Sequence, residues 1–184
     1  MEKNPDVYAH LQVPGTKVDY PVLQSEEDDY YLTHNLDGSS GYPGCIYSNA
    51  VNSKDFSDSI TVLYGHNMKN GSMFSALKKF KKSSFFNSHE TFSVTTGAGV
   101  YTYEIYAALS YPEKYIPSIY NVKSGDGLAD FLESLNAYKN IASSHFRTAA
   151  GASETDKICV LSTCVTGQEA SRYLVIGKLV AVEN

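Results

Sequence analysis

Lys157-Ile-Cys-Val-Leu-Ser-Thr-Cys164 and, after an interval at 165–171, Arg172-Tyr-Leu-Val-Ile-Gly-Lys-Leu-Val-Ala-Val182 are the runs that decide the fold. Both are strand-like and apolar at odd and even positions alike. A strand that is apolar on both faces must be covered on both, so this pair belongs at the centre of a sheet rather than at its edge. Working outward, further strand-like runs stand at Val7–Val13, Lys17–Leu23, Cys45–Ser48, Ile60–Tyr64, Glu90–Thr95 and Val100–Leu109. Thr96-Gly-Ala-Gly99 joins the last two as a hairpin turn. Eight or so short strands parted by Gly, Pro, Asn and Asp predict a mainly β protein, a closed barrel or a sandwich.

Three helical segments interrupt this pattern. Ser25-Glu-Glu-Asp28 has the make-up of a capping box and opens an N-terminal helix expected to reach about Asn35. Its acidic run, 26–29, then complements the helix dipole. Ser72 caps a second helix, with Met73, Leu77 and Phe80 on one face and Lys78, Lys79, Lys81 and Lys82 on the other. Leu128, Phe131, Leu132 and Leu135 recur at helical spacing within 126–139, inside the long connection that precedes the Cys164 strand. A connection of that length with its own helix often shapes a binding groove, here one formed by Tyr111–Ala150.

The chain has 184 residues, 42% apolar and 12% aromatic, enough for a sizeable core in one domain spanning 1–184. A net charge of −5 and only 15 Lys and Arg leave no basic footprint for nucleic acid. No run approaches the ~20 apolar residues of a membrane helix, and Met1-Glu-Lys-Asn-Pro5 lacks the apolar core of a signal peptide. Three cysteines occur: Cys45, Cys159 and Cys164. Five extended residues span roughly 16 Å, whereas a disulfide needs Cα atoms within about 7 Å. Cys159 and Cys164 therefore cannot pair within one strand, and at least one thiol stays free.

Which chemistry could such a chain carry? A serine nucleophile elbow, Gly-x-Ser-x-Gly, is missing. Ser75-Ala-Leu-Lys78 has serine–lysine spacing but sits mid-helix in a lysine-rich stretch and reads as accidental. No histidine pair stands at zinc-ligand spacing, so neither a metal nor a cofactor is expected. Thiol chemistry needs a thiolate, a proton-transfer partner and a stabiliser for the oxyanion. A free thiol, with a pKa near 8.5, usually depends on a nearby cation for activation. Arg172 opens the strand after Cys164. If 165–171 form the connecting loop of a hairpin, the two become cross-strand neighbours with Cβ atoms about 5 Å apart; a loop one residue shorter would put them on opposite faces. His66 follows the strand Ile60–Tyr64 across a glycine, a position from which side chains commonly enter a site.

Val160-Leu-Ser-Thr-Cys164 with Arg172 eight residues on resembles the cysteine signature of sortases and its downstream arginine. Tyr64-Gly-His-Asn-Met-Lys-Asn-Gly-Ser-Met-Phe74 is similar to the histidine segment of class B sortases, and Pro14-Gly-Thr-Lys-Val-Asp-Tyr-Pro-Val-Leu-Gln24 to their N-terminal strand pair. Val160, where the family usually has Thr, and the additional thiol of Cys159 depart from the pattern. The resemblance covers roughly 7–182 and implies an eight-stranded sortase-type β-barrel with an N-terminal helix. It implies a cysteine transpeptidase with Cys164 as nucleophile, His66 as proton carrier and Arg172 as backbone or oxyanion clamp. Tyr64, Ser162 and Leu32 match positions that line the peptide groove. The implied partners are the C-terminal sorting signal of a secreted protein and an amine of the cell wall. The implied location is the outer face of the membrane, held by an N-terminal anchor outside these 184 residues. A thiol hydrolase of the same fold, and a β module that binds without chemistry, are the alternatives.

Overall fold

A computed structural model describes residues 4–147 and 151–183. Nine strands form one sheet: β1 (Val7–Gln12), β2 (Asp19–Leu23), β3 (Ile46–Tyr47), β4 (Ile60–Tyr64), β5 (Thr91–Thr96), β6 (Gly99–Pro112), β7 (His145–Phe146), β8 (Ile158–Val165) and β9 (Gln168–Glu183). The order is β5-β1-β2-β3-β4-β8-β9-β6-β7, and a further β5–β6 pairing closes eight of the strands into a barrel. The two-residue β7 lies outside that ring, paired to β6 at Ala107 and Ala108. The hairpin at 96–99 forms as expected, with Thr96 opposite Gly99.

The β8–β9 pair is central, with β4 on one side and β6 on the other. Its two faces pack against different cores, which is why its sequence does not alternate. Leu63, Cys159, Leu161, Tyr173 and Val175 turn toward the barrel core, where Phe74, Leu77 and Phe80 of a 3₁₀ helix (Phe74–Lys81) join them. Val62, Val160, Leu174 and Ile176 turn the other way, against Leu128, Phe131 and Leu135 from the segment containing helix α4 (Gly125–Ser134). β3 meets β4 only at Tyr47 and Tyr64. The Asn52 side chain supplies the missing strand partner, donating to the Ile60 carbonyl at 2.8 Å and accepting from the Val62 amide at 3.0 Å.

Two helical expectations change. The first helix, α1, covers only Tyr30–Thr33, and the capping box at Ser25 does not form. Asp29 stands at the N-cap in a left-handed conformation (φ 59°), which a continuous helix from Ser25 cannot accommodate. The acidic side chains act as tethers instead of complementing a dipole: Asp28 accepts from the Ala50 amide, and Asp29 accepts from the Tyr47 hydroxyl and the Asn49 side-chain amide. The lysine-rich segment winds as the 3₁₀ helix, continued by α2 (Ser83–Ser88), with its apolar residues buried and its lysines exposed as the sequence implies. A short α3 (Ile116–Ile119) precedes α4. Leu135–Tyr138 extends α4 as another 3₁₀ turn. Of the stretch Tyr111–Ala150, residues 148–150 lie outside those described.

Candidate active site

Strand register assembles the site. β4 and β8 run parallel, with Ile60 opposite Ile158 and Tyr64 opposite Ser162. Carried two residues past the strand end, the same offset sets His66 beside Cys164. The chain holds that offset beyond the ladder: the Gly65 amide donates to the Ser162 carbonyl, and the Thr163 hydroxyl donates to the Gly65 carbonyl at 2.7 Å. Gly65 has a packing reason to be glycine. A Cβ there would stand 2.4 Å from Ile46 Cδ1 and 2.8 Å from Phe74 Cδ2. On the other side of β8, Cys164 pairs directly with Arg172 of β9. Histidine, cysteine and arginine thus lie in one row across neighbouring strand paths.

The connection that sets this row differs from the seven-residue loop considered from sequence. β9 starts at Gln168, so the turn is only Thr166-Gly167, with Gly167 in the left-handed region (φ 75°). A bulge between Cys164 and Val165 takes up the surplus residues of β9 and restores the Cys164–Arg172 register. Sequence reasoning reached the correct pairing through the wrong loop.

A cleft of about 270 Å³ lies over this row. All six residues singled out from sequence (Leu32, Tyr64, His66, Ser162, Cys164 and Arg172) line it. Cys164 is exposed, whereas Cys45 and Cys159 are buried, and all three are free thiols. Burial alone pushes the Cys159 thiol far up; burial, with a smaller contribution from Asp37, pushes Cys45 up to about 11. Neither buried thiol is ionised near neutrality, which leaves Cys164 as the accessible sulfur.

His66 Nε2 is 2.7 Å from the Leu32 carbonyl. A carbonyl only accepts, so Nε2 carries the hydrogen in this contact, and Nδ1 is the other ring nitrogen. Leu32 therefore contributes its backbone as well as its side chain. Arg172 forms an ion pair with Glu113, which also lines the cleft. Tyr64 stacks on Tyr47 with ring centroids 5.4 Å apart, and its buried hydroxyl has no hydrogen-bond partner among the described residues. Burial raises the pKa of both phenols, and for Tyr47 the bond to Asp29 adds to the effect. They stay neutral donors.

Sequence reasoning missed four contributors. Asn67 donates to the Cys164 carbonyl and to Thr166 Oγ1, each at 2.9 Å, and so fastens the histidine segment to the cysteine strand. Its place next to His66 was the available signal. Tyr47, Glu113 and Tyr115 reach the cleft from distant parts of the chain, and no local pattern marks them.

A barrel of this topology, with cysteine, histidine and arginine along one strand end, defines a thiol acyltransferase framework. The sortase-domain family model matches residues 11–180, and the chain belongs to the sortase family, whose members are cysteine transpeptidases. Within it the chain is a class B sortase. It is 36% identical over 179 residues to sortase B of Listeria monocytogenes, covering 96% of this chain and 71% of that protein. It is 25% identical over 183 residues to sortase B of Staphylococcus aureus, covering 97% and 72%. The X-ray structure of Clostridium perfringens sortase B superimposes with a TM-score of 0.85 at 28% identity, over 97% of this chain and 96% of that one.

Proposed function

We propose that this domain cleaves a C-terminal sorting signal after its threonine and transfers the acyl group to a cell-wall amine. The row of Cys164, His66 and Arg172 along one cleft carries this reading. The Cys164 thiolate attacks the scissile carbonyl, and negative charge develops on its oxygen. Arg172 is the cation one strand away, and its planar fork suits an oxyanion or a peptide carbonyl better than an ammonium would. As imidazolium, His66 gives the proton on Nδ1 to the departing amine, the C–N bond breaks, and a thioester remains on Cys164. The incoming amine then forms the new C–N bond, the C–S bond breaks, and the amine's proton passes to His66. Two acyl transfers conserve the energy of the amide bond for ligation.

Tyr64, Ser162 and the Leu32 side chain line the same cleft and form the donor groove; the partnerless Tyr64 hydroxyl suits a peptide carbonyl. We place the domain on the outer face of the cell membrane, where both partners reside. A fluorogenic sorting peptide, assayed with and without an amine acceptor, tests the reaction. Ligated product at the expense of hydrolysis is expected. Hydrolysis that no amine alters would instead favour a thiol peptidase, and no turnover at all would favour a binding module.

A further inference from the structure

Side chains alternate along β8, so Ser162 and Cys164 share one face of its end, and Thr163 between them borders the donor cleft as well. Tyr64, Ser162 and Arg172 share that face with the α4 side of the sheet. Thr163 and Tyr173 belong to the opposite face, toward the 3₁₀ helix. A second cavity, of about 330 Å³, opens there, lined by Ser75, Lys78, Lys81, Thr163, Thr166 and Tyr173, and Cys164 belongs to its wall too. Cys164, exposed at the end of its strand, therefore borders both clefts.

The chemistry of the second cleft is that of an anion site. Ser75 and Tyr173 are 1% and 2% exposed, and neither hydroxyl has a hydrogen-bond partner among the described residues. A buried hydroxyl left unpaired is destabilising, and a bound acceptor group removes that cost. Lys78 and Lys81 add two ammonium groups, and the Lys81 Nζ lies 5.1 Å from the Tyr173 ring centroid. No carboxylate lines this cavity among the described residues. The helix geometry builds the row. A 3₁₀ helix has three residues per turn, so Ser75, Lys78 and Lys81 stack in single file, an alignment that the expected α-helical winding would spread around the axis. The serine–lysine pair set aside from sequence is thus one edge of a cleft.

Resting on the transferase reading above, we propose that this cleft holds the acceptor: an amine whose own residue or dipeptide carries a carboxylate, seated on Lys78, Lys81, Ser75 and Tyr173. Two lysines repel a bare ammonium, and a carboxylate beside the amine offsets that repulsion. The same positive field makes the amine give up its proton more readily, as attack on the thioester requires. Nitrogen then approaches the acyl carbon from the face that the donor leaves free, the C–S bond breaks, and His66 takes the amine proton.

Glycylglycine and glycylglycinamide carry the same attacking amine and differ in the carboxylate. With a sorting peptide as donor, ligation of glycylglycine should exceed that of the amide by about three- to tenfold at low salt, the scale of one or two exposed charge pairs. The preference should fall toward unity in K78Q/K81Q and at high ionic strength. Equal use of both acceptors by the wild type, or an unchanged preference in the double variant, overturns the proposal. So does a donor-acylation rate, rather than the acceptor ratio, that depends on Lys78 and Lys81, because the cleft would then hold the departing segment of the sorting signal. Intact mass of the acyl-enzyme reports the transferase reading separately. Titrating glycylglycine into the free enzyme should shift the backbone amide signals of Ser75, Lys78 and Thr166 in wild type and not in the double variant. Absence of those shifts refutes the site even if no acyl-enzyme forms.

Discussion

Asn67→Ala isolates the contribution of the register that sets His66 beside Cys164. The Asn67 amide makes two hydrogen bonds of 2.9 Å, to the Cys164 carbonyl and to Thr166 Oγ1. Each is worth about 0.5–1.5 kcal/mol net, and because both are exposed to water the lower half of that range applies. Together they contribute about 1–2 kcal/mol to holding the histidine segment against the cysteine strand. If that energy serves placement, kcat/KM for a sorting peptide falls by about 5- to 30-fold. The melting temperature should move by only a few degrees, at about 2–4 °C per kcal/mol for a domain of this size. Thr166→Val removes one of the two bonds and should give roughly half the free-energy effect. Combining it with Asn67→Ala should add almost nothing, since contacting partners are not additive. Steady-state kinetics with the fluorogenic peptide and a thermal scan measure both quantities. A kcat/KM within twofold of wild type, or a double variant whose losses simply sum, would mean that Asn67 does not hold His66 in place.

Three further expectations concern the same row and its support. Arg172→Lys keeps the charge but loses the planar fork, and should cost about 2–4 kcal/mol of transition-state stabilisation in kcat/KM; a rate near wild type removes Arg172 from the chemistry. Gly65→Ala drives a methyl into Ile46 and Phe74, so unfolding should become about 1–3 kcal/mol easier by denaturant titration, with His66 displaced and turnover reduced further; an unchanged midpoint contradicts the close packing. Burial raises the Cys45 thiol to about 11 from 9.0, and burial, with the Asp6 hydrogen bond second, raises the Tyr31 phenol to about 12 from 10.0. Folded values above unfolded ones mean stability that is complete below pH 9 and is lost as pH rises through 11 to 12. Melting temperature should decline across that window, and a flat profile would contradict the burial of both groups.

Much of the architecture was legible because it rests on short-range patterns. Apolar residues on both faces of 157–182 require two cores, and the structure supplies one from the 3₁₀ helix and one from α4. The pairing of Cys164 with Arg172 was within reach from hairpin geometry, but the bulge at Cys164 was not, since it arises where the Thr166-Gly167 turn meets the longer β9. Ser25-Glu-Glu-Asp28 misled for a related reason. Local capping preference is worth about 1 kcal/mol, and here it yields to side-chain tethers from Asp28 and Asp29 to the segment around Asn49. His66 was legible from its motif, whereas Glu113 and Tyr47 required the tertiary fold, because their partners lie far away in the chain. The change from α to 3₁₀ winding at 74–81 left the buried face intact, yet it aligned Ser75, Lys78 and Lys81 in a way no amphipathic pattern foretold.

The decisive measurement is intact-mass analysis of the enzyme quenched during turnover of a sorting peptide, followed by peptide mapping. One added acyl group is expected, the donor up to its scissile threonine, attached to the Cys164 sulfur and missing from a folded Cys164→Ala variant that no longer turns over. An adduct on Cys45 or Cys159, or continued cleavage by Cys164→Ala, would contradict it.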